Sequence, residues 1–229
     1  MINRLDWDSE MFRITIGVSN ISSFKDLNLS AFKEQLVDYD LVYLISQERA
    51  TQFDNKLYED ERIKYVKHVS FHDLKTLVST VKSGIHKKSA FEKLALLSGR
   101  FSRFHLDPKF DEKNFILLYN LWLGNYFLDD PSKELFFCQE SDTIQGFLTL
   151  DIDDQEQTGT IGLIAVDEQF HGQGIGTALI KSAENYLLSM NIKILYVTTQ
   201  GCNDQAKWLY EKNHFEINKS TFLYHLWKA

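Results

Sequence analysis

The chain has 229 residues, 44% hydrophobic and 14% aromatic, so it is long enough to bury a packed core. Its 25 Lys and Arg against 32 Asp and Glu give a net charge of −7, which argues against nucleic acids and anionic membranes as partners. No apolar stretch approaches the roughly 18 residues of a membrane span, and no leader-like segment opens the chain. We therefore expect a cytoplasmic protein without a membrane partner.

Strands and helices alternate in the first hundred residues. Hydrophobic periodicity predicts strands at 14–21, 41–45 and 65–71 and helices at 29–37 and 89–97. The best break in the chain lies near Pro108, because proline restricts the residue before it to extended backbone. We predict an N-terminal domain at residues 1–105 and a second domain at residues 106–229.

The second domain is predicted to open with a long helix. Its apolar stripe at helical spacing consists of Phe115, Leu118, Trp122 and Tyr126. The stripe is widened by Leu117, Leu121 and Leu128. Because apolar residues surround so much of this helix, we expect it to be nearly buried.

A hairpin and a second turn follow this helix. Strands are predicted at 135–138 and 146–150 with a turn at 139–142, and Thr158-Gly159 is predicted as the next turn. The acidic residues at 151–154 suggest either a divalent metal or a solvated loop. We favour the solvated loop and expect no metal site, since hairpin loops are commonly acidic.

A strand, a glycine-rich turn and a helix then follow one another. The strand is the apolar run 161–166, the turn at 170–177 holds Gly172, Gly174 and Gly176, and apolar residues at helical spacing continue to Met190. Glycines let a ligand approach the backbone closely, and the first helical turn leaves N–H groups without intrahelical partners. This order predicts a site for a phosphorylated cofactor. The alternative is a turn that only reverses the chain.

The spacing of the glycines excludes two known classes of phosphate-binding site. A phosphate-binding loop needs Gly-Lys-Ser/Thr, whereas the first lysine here is Lys181. The dinucleotide pattern G-x-G-x-x-G also fails, because its sixth position is Thr177 counted from Gly172 and Leu179 counted from Gly174.

A second strand–helix pair lies nearer the end of the chain. The β-branched run 195–199 predicts a strand, and Asn203 is a good N-cap for the helix that follows. Ala206 and Tyr210 are four residues apart and share one face of that helix. Cys202 is either a nucleophile or, as we favour, a bystander thiol. Neither it nor Cys138 has the spacing of a metal site or of a disulfide framework.

These two motifs together resemble the GCN5-related N-acetyltransferases (GNAT). Residues 171–176 resemble that family's R/Q-x-x-G-x-G/A run, and residues 203–215 resemble its N-x-x-A-x-x-L-Y-x-K-x-G-F segment. Two residues depart from the pattern, His171 in place of Gln or Arg and His214 in place of Gly. The latter requires Asn213 or His214 to adopt a strained or left-handed backbone.

The resemblance implies a GNAT fold, a mixed and mostly antiparallel twisted sheet flanked by helices, with an N-terminal α/β substrate domain. It implies acetyl-CoA as co-substrate and Tyr210 as the catalytic group beside the thioester sulfur, where the alternative is a core aromatic. It also implies that Asn203 contacts the pantetheine arm. A backbone N–H within 163–166 is implied to stabilise the oxyanion that forms when the amine attacks the thioester carbonyl. The implied cofactor-binding residues are Leu163, Ile164, Ala165, Val166, His171, Gly172, Gln173, Gly174, Ile175, Gly176, Thr177 and Asn203.

Smaller motifs are similar to the TDP-fucosamine acetyltransferases, which N-acetylate a nucleotide-linked 4-amino sugar during bacterial surface-glycan synthesis. They lie at 5–12, 102–108, 118–122 and 224–227, with Met11 and Arg13 departing from the usual Phe and Gly. The resemblance implies a nucleotide amino sugar as substrate. Four residues could contact it or could instead pack between domains: Trp7, Phe12, Phe101 and Arg103.

The sequence leaves several alternatives open. Asp167, Glu168 and Glu140 are candidate bases, and none stands out. Another small amine as acceptor, such as a polyamine, an amino acid or an antibiotic, is the rival within enzymes, and a non-catalytic acyl-CoA-binding module is the rival outside them. A homodimer is also left open.

Overall fold

The computed structural model describes residues 1–22, 29–50, 58–72, 78–80 and 88–228, which pack as two compact units. Unit 1 comprises residues 1–63, 200–202 and 219–229, and unit 2 comprises residues 64–199 and 203–218. This packing division does not follow the predicted ranges 1–105 and 106–229. The functional division, with substrate binding in the N-terminal part, stays a prediction.

The structure contains the predicted strands and helices in the predicted order, together with five that the sequence did not predict: Asn3–Arg4, Asp6–Phe12, Ser79–Thr80, Arg103–Leu106 and Glu216–Trp227. The strands are β1 (Asn3–Arg4), β2 (Ile16–Ile21), β3 (Leu41–Ser46), β4 (Tyr58–His68), β5 (Ser79–Thr80), β6 (Lys133–Glu140), β7 (Thr143–Asp153), β8 (Thr158–Val166), β9 (Ile194–Gln200) and β10 (Glu216–Trp227). The helices are α1 (Asp6–Phe12), α2 (Leu29–Leu36), α3 (Glu92–Ser98), α4 (Arg103–Leu106), α5 (Glu112–Gly124), α6 (Ile175–Ser189) and α7 (Asp204–Lys212). No helix among the described residues is long and apolar enough to cross a membrane.

Unit 1 is built on a small mixed sheet. Strand β2 pairs antiparallel with β1 and parallel with β3, and β3 pairs antiparallel with β10. Its apolar cluster is formed by Ile2, Phe32, Val42, Leu44 and Tyr224. These residues come from the sheet, from α2 and from the start of the chain, so burial of their side chains holds the strands and α2 together.

Unit 2 contains a longer run of paired strands. Strands β5 to β8 pair antiparallel in sequence order, and β8 pairs parallel with β9. The β8–β9 register runs from Thr158↔Ile194 to Ile161↔Val197 and goes no further, although β8 continues to Val166. Helix α6 packs against β6, β7 and β8. The predicted mixed, mostly antiparallel sheet flanked by helices is thereby confirmed.

Two predictions about this region were wrong. Helix α5 is amphipathic rather than nearly buried, since Leu117 is 49% exposed and Leu121 is exposed as well. The helix ends at Gly124, so Leu128 lies beyond it. Residues Thr158 and Gly159 lie inside β8, and the turn lies at 154–157. There the Asp153 carboxylate accepts hydrogen bonds from the N–H groups of Gln155 and Glu156, which satisfies the turn's backbone locally.

The strand predicted at 65–71 ends at His68. The N–H of Val69 still donates to Lys193 O at 3.0 Å, and side chains of α6 hold the backbone after it. The Glu184 carboxylate accepts from the N–H of Ser70 at 3.1 Å, and the Asn185 side chain accepts from the N–H of His72 at 2.9 Å. Glu184 is 0% exposed and also accepts from Lys67 Nζ at 2.6 Å. This buried ion pair anchors α6 to β4.

Candidate functional site

A cavity of about 550 Å³ lies in unit 2, beside the end of β8 that is no longer paired with β9 and beside the first turns of α6 and α7. Ten of the predicted cofactor-binding residues line it: Ile164, Ala165, Val166, His171, Gly172, Gly174, Ile175, Gly176, Thr177 and Asn203. Leu163 and Gln173 are not among its lining residues. Most of the residues predicted from the two motifs are thus brought together at one place.

The glycine turn has the backbone that only glycine adopts freely. Gly172 and Gly174 have φ angles of 78° and 82°, and a Cβ at either position would meet no atom within 4 Å. Gly174 is the N-cap of α6 and supplies no side-chain acceptor to the first helical turn. The N–H groups of that turn are therefore available to an anionic ligand, which the helix dipole also favours.

His171 ties this turn to the end of β8. Its Nε2–H donates to the carbonyl oxygen of Val166 at 2.9 Å, a contact that fixes the proton on Nε2 because a carbonyl can only accept. The side chain thus supports the turn from β8, which gives a physical reason why histidine is compatible with a position where the resembled family has Gln or Arg.

Hydrogen bonds along β8 show which of the candidate oxyanion donors, the N–H groups of 163–166, point toward β7 and which point away from it. The N–H of Leu163 donates to Thr149 Oγ1 at 2.7 Å and that of Asp167 donates to Gln145 O at 2.8 Å, both toward β7. Because backbone groups alternate sides along a strand, the N–H groups of Ile164 and Val166 face the opposite way. There the pairing with β9 has ended. Within 163–166, the candidate oxyanion donors are therefore the N–H groups of Ile164 and Val166.

Helix α7 begins as the sequence predicts. The side chain of Asn203 caps it by accepting a hydrogen bond from the N–H of Ala206 at 3.1 Å, and both residues line the cavity. At the other end His214 has a φ of 63°, so it takes the left-handed conformation that the missing glycine requires.

Tyr210 lies one turn beyond Ala206, is 2% exposed and does not line the cavity. Its ring packs against Tyr65 and Phe215, each with centroids 5.7 Å away. Burial, followed by the neighbouring Tyr65, raises the pKa of Tyr210 well above its ordinary value, so the phenol is protonated at neutral pH. Burial and a hydrogen bond to Glu211 similarly raise the pKa of Tyr65 to about 12. The catalytic role of Tyr210 stays a prediction.

The predicted substrate residues separate. Phe101 lines the cavity, whereas Arg103 lies outside its lining with the guanidinium 4.1 Å from the ring centre of Phe104. Trp7 and Phe12 belong to α1 of unit 1. Their predicted contact with a substrate stays a prediction.

Sequence reasoning missed several cavity residues, among them Arg100 and Trp208. Arg100 donates to Glu168 Oε1 at 2.8 Å and to Gln205 Oε1, and its guanidinium lies 4.9 Å from the Phe101 ring centre. Nothing in the sequence marks Arg100, since its partners are far along the chain. Trp208 lines the cavity and is 61% exposed. A single tryptophan on an otherwise polar helix is a pattern from which its role could have been predicted.

The structure singles out no base. Lys93 donates to Asp167 at 2.6 Å and holds the pKa of that carboxyl below its ordinary value, and Glu168 is paired with Arg100. The carboxylate of Glu140 accepts from the Gln145 side chain at 3.0 Å. Among the described residues there is no group of three or more His, Cys, Asp or Glu that could hold a metal ion.

Solved structures share this fold. A protein of the GNAT family from Novosphingobium aromaticivorans aligns over 83% of this chain and 75% of its own, with a TM-score of 0.56 and 13% identity. A GCN5-related N-acetyltransferase from Sphaerobacter thermophilus aligns over 93% and 73%, with a TM-score of 0.54 and 10% identity. At these identities the likeness concerns the fold alone.

Sequence relatives match a part of the chain. The mycothiol acetyltransferase of Propionibacterium freudenreichii is 24% identical over 38% of this chain and 29% of its own length. The N-alpha-acetyltransferase 30 of Xenopus laevis is 26% identical over 47% and 41%. The chain thus spans less than half the length of these curated relatives.

The family model described as Acetyltransferase (GNAT) family matches residues 95–215, which is more than half of the sequence and contains the whole cavity. The chain belongs to the GNAT family of acetyltransferases.

Proposed function

We propose that this chain binds acetyl-CoA in the cavity of unit 2 and transfers the acetyl group to the amine of a nucleotide-linked amino-deoxysugar. The proposal that acetyl-CoA binds here rests mainly on the turn that contains Gly172 and Gly174. Two glycines with positive φ open an uncapped helix N-terminus onto a cavity, directly beside strand backbone that has no partner in β9. N–H groups that suit a phosphate thus lie beside β8 backbone to which the pantetheine arm can hydrogen-bond.

We assign the steps of acyl transfer to backbone groups that line the cavity and to Tyr210, which is buried outside its lining. The amine nitrogen bonds to the thioester carbonyl carbon, and the N–H of Ile164 or Val166 stabilises the oxyanion that develops there. The carbon–sulfur bond then breaks, and the departing thiolate takes a hydrogen bond or proton from Tyr210. The amine must be neutral to attack, and its proton leaves through water or a base that we do not assign.

The amino-sugar half of the proposal is supported by the similarity at residues 5–12 and 102–108. Within unit 2, the aromatic ring of Phe101 and the guanidinium of Arg100 both line the cavity, and such groups suit a base and a diphosphate. The curated relatives are named for different acceptors, so they do not select one. Mass spectrometry of products formed from acetyl-CoA and a panel of dTDP- and UDP-amino sugars tests the proposal. Acetylation of only polyamines or amino acids would contradict its second half.

We expect Gly174→Val to lower the affinity for CoA at least tenfold, roughly 1.4 kcal/mol. A side chain at this position would occupy the open space beside the first turn of α6, where we place the pyrophosphate. Calorimetric titration with CoA measures the change.

Asn191→Val is the matched control for Gly174→Val. Asn191 also has positive φ, at 60°, but follows the other end of α6, so it carries the same backbone strain without touching the cavity. A folded Gly174→Val protein that binds CoA as tightly as the control would refute the placement of the pyrophosphate.

Nucleotide binding makes a separate prediction. A nucleotide-sugar substrate should make dTDP or UDP raise the melting temperature, and CoA should raise it further, because ligands that bind only the folded state stabilise it. A thermal-shift screen measures both. Stabilisation by a polyamine or an amino acid, with no response to any nucleoside diphosphate, would favour the rival acceptors.

A further inference from the structure

Strand β8 contains a bulge at the point where its pairing with β9 ends. Its register with β7 steps from Leu148↔Ile164 to Leu150↔Ile161, so two residues of β8, Gly162 and Leu163, stand opposite Thr149. Such a bulge bends the strand and re-aims the backbone groups beyond it. Everything that lines the cavity from β8, residues 164–166, lies beyond the bulge.

Hydrogen bonds hold the residues around the bulge. Thr149 is 0% exposed, and its hydroxyl accepts from the N–H of Leu163 at 2.7 Å. Tyr126 donates to Asp151 Oδ2 at 2.8 Å, and Lys133 Nζ donates to Asp151 Oδ1 at 2.5 Å. Thr149 and Tyr126 are thus each held by a partner of their own.

Gly162 is fitted to these side chains. A Cβ at this position would lie 2.9 Å from Thr149 Oγ1 and 2.9 Å from the Tyr126 hydroxyl. Both atoms are held by hydrogen bonds, so neither is free to retreat. The bulge therefore depends on a glycine and a threonine that face each other across two strands.

We propose that Thr149 is a positioning residue of the acetyl transfer, which holds Leu163 so that the N–H of Ile164 is aimed at the thioester carbonyl. In regular pairing the N–H of Leu163 would donate to a main-chain carbonyl of β7, whereas at the bulge it donates to the Thr149 hydroxyl. This hydrogen bond stabilises the bulge against a return to regular pairing. A donor aimed in advance stabilises the oxyanion without reorganising during the reaction. This inference rests on the proposed function.

The test compares Thr149→Val with Thr149→Ser, which restores the hydroxyl, and with Thr160→Val, the same change in the regularly paired part of β8. We expect Thr149→Val to lower kcat by about 10- to 100-fold with KM for acetyl-CoA within about twofold, because the displaced donor acts on the transition state. Thr149→Ser should recover most of kcat, and Thr160→Val should match the wild type.

A binding measurement makes the test independent of the acceptor. In wild-type protein the amide proton resonance of Ile164 should differ between the acetyl-CoA and CoA complexes, because only acetyl-CoA presents the carbonyl. Thr149→Val should lose that difference while keeping its affinity for CoA. If Thr149→Val does not fold, Tyr126→Phe, which leaves the Thr149–Leu163 contact in place, should lower kcat by a smaller factor of about 3 to 10.

The outcomes separate this inference from the proposed function. A wild-type chain that binds no CoA would overturn the proposed function. A wild-type chain that binds CoA, together with a Thr149→Val variant of unchanged kcat and unchanged Ile164 resonance, would overturn only the role of Thr149. Equal losses of kcat and of CoA affinity would also overturn it, since they indicate a general structural defect.

Discussion

Tyr210→Phe should lower kcat by about 10²–10⁴, the usual scale for losing a positioned proton donor, while leaving CoA affinity and stability almost unchanged. The ring contacts with Tyr65 and Phe215 remain in the variant, so the packing survives. Ala206, four residues earlier on the same helix face, lines the cavity, which places Tyr210 at the inner end of that face. Steady-state kinetics with acetyl-CoA and an active amine measure the effect.

The pH dependence adds a second readout. Burial raises the pKa of Tyr210 above its ordinary value of 10.0, so its hydroxyl remains protonated throughout the range below that value. Ionisation of Tyr210 should therefore produce no alkaline loss of kcat below about pH 10 in the wild type.

Tyr186→Phe is the control for this prediction. Tyr186 is also partly buried and packs edge-to-face on Phe136, but it does not line the cavity. It should retain the wild-type kcat. A Tyr210→Phe enzyme that keeps more than about half of kcat, with chemistry rate-limiting, would make Tyr210 a core aromatic and leave the proton donor unassigned.

Glu184→Ala should lower the free energy of unfolding by about 3–5 kcal/mol, because it leaves Lys67 buried without its partner. The carboxylate is 0% exposed and accepts from Lys67 Nζ at 2.6 Å, from the N–H of Ser70 and from His72 Nε2 at 3.1 Å. Three groups lose their acceptor together. Urea unfolding followed by circular dichroism measures the change.

Two controls distinguish a buried charge from general damage. Glu92→Ala removes a partly exposed ion pair with Lys88 and should change stability by no more than about 1 kcal/mol. The double variant Lys67→Met/Glu184→Leu removes both buried charges and should recover most of the loss. A double variant as unstable as Glu184→Ala would show that lost hydrogen bonds and packing, rather than the unpaired lysine, cause the defect.

Features with local causes were predictable from the sequence. The cap at Asn203, the glycine turn and the left-handed residue near His214 each depend on side chains and backbone within a few residues. The strand–turn–helix order follows from hydrophobic periodicity, which each of these elements carries in its own sequence, whereas the mixed sheet was expected from the resemblance to the GNAT family. The Thr158-Gly159 turn was wrong because Asp153 supplies turn contacts a few residues earlier.

Features that join distant residues were not predictable. Thr149 and Leu163 are 14 residues apart, and Tyr126 and Asp151 are 25 apart, so no spacing in the sequence marks the bulge they hold. The same reason hides Glu184, which bonds to Lys67 across 117 residues.

The sequence by itself determined the family, the order of its elements and the residues of the glycine turn, since local patterns and short-range chemistry suffice for these. Only the tertiary structure decided that Leu163 turns its N–H to Thr149 while Ile164 turns toward the cavity, and that Tyr210 is buried against Tyr65. Register and burial are set by the strands and helices that pack against a segment, and those partners lie elsewhere in the chain.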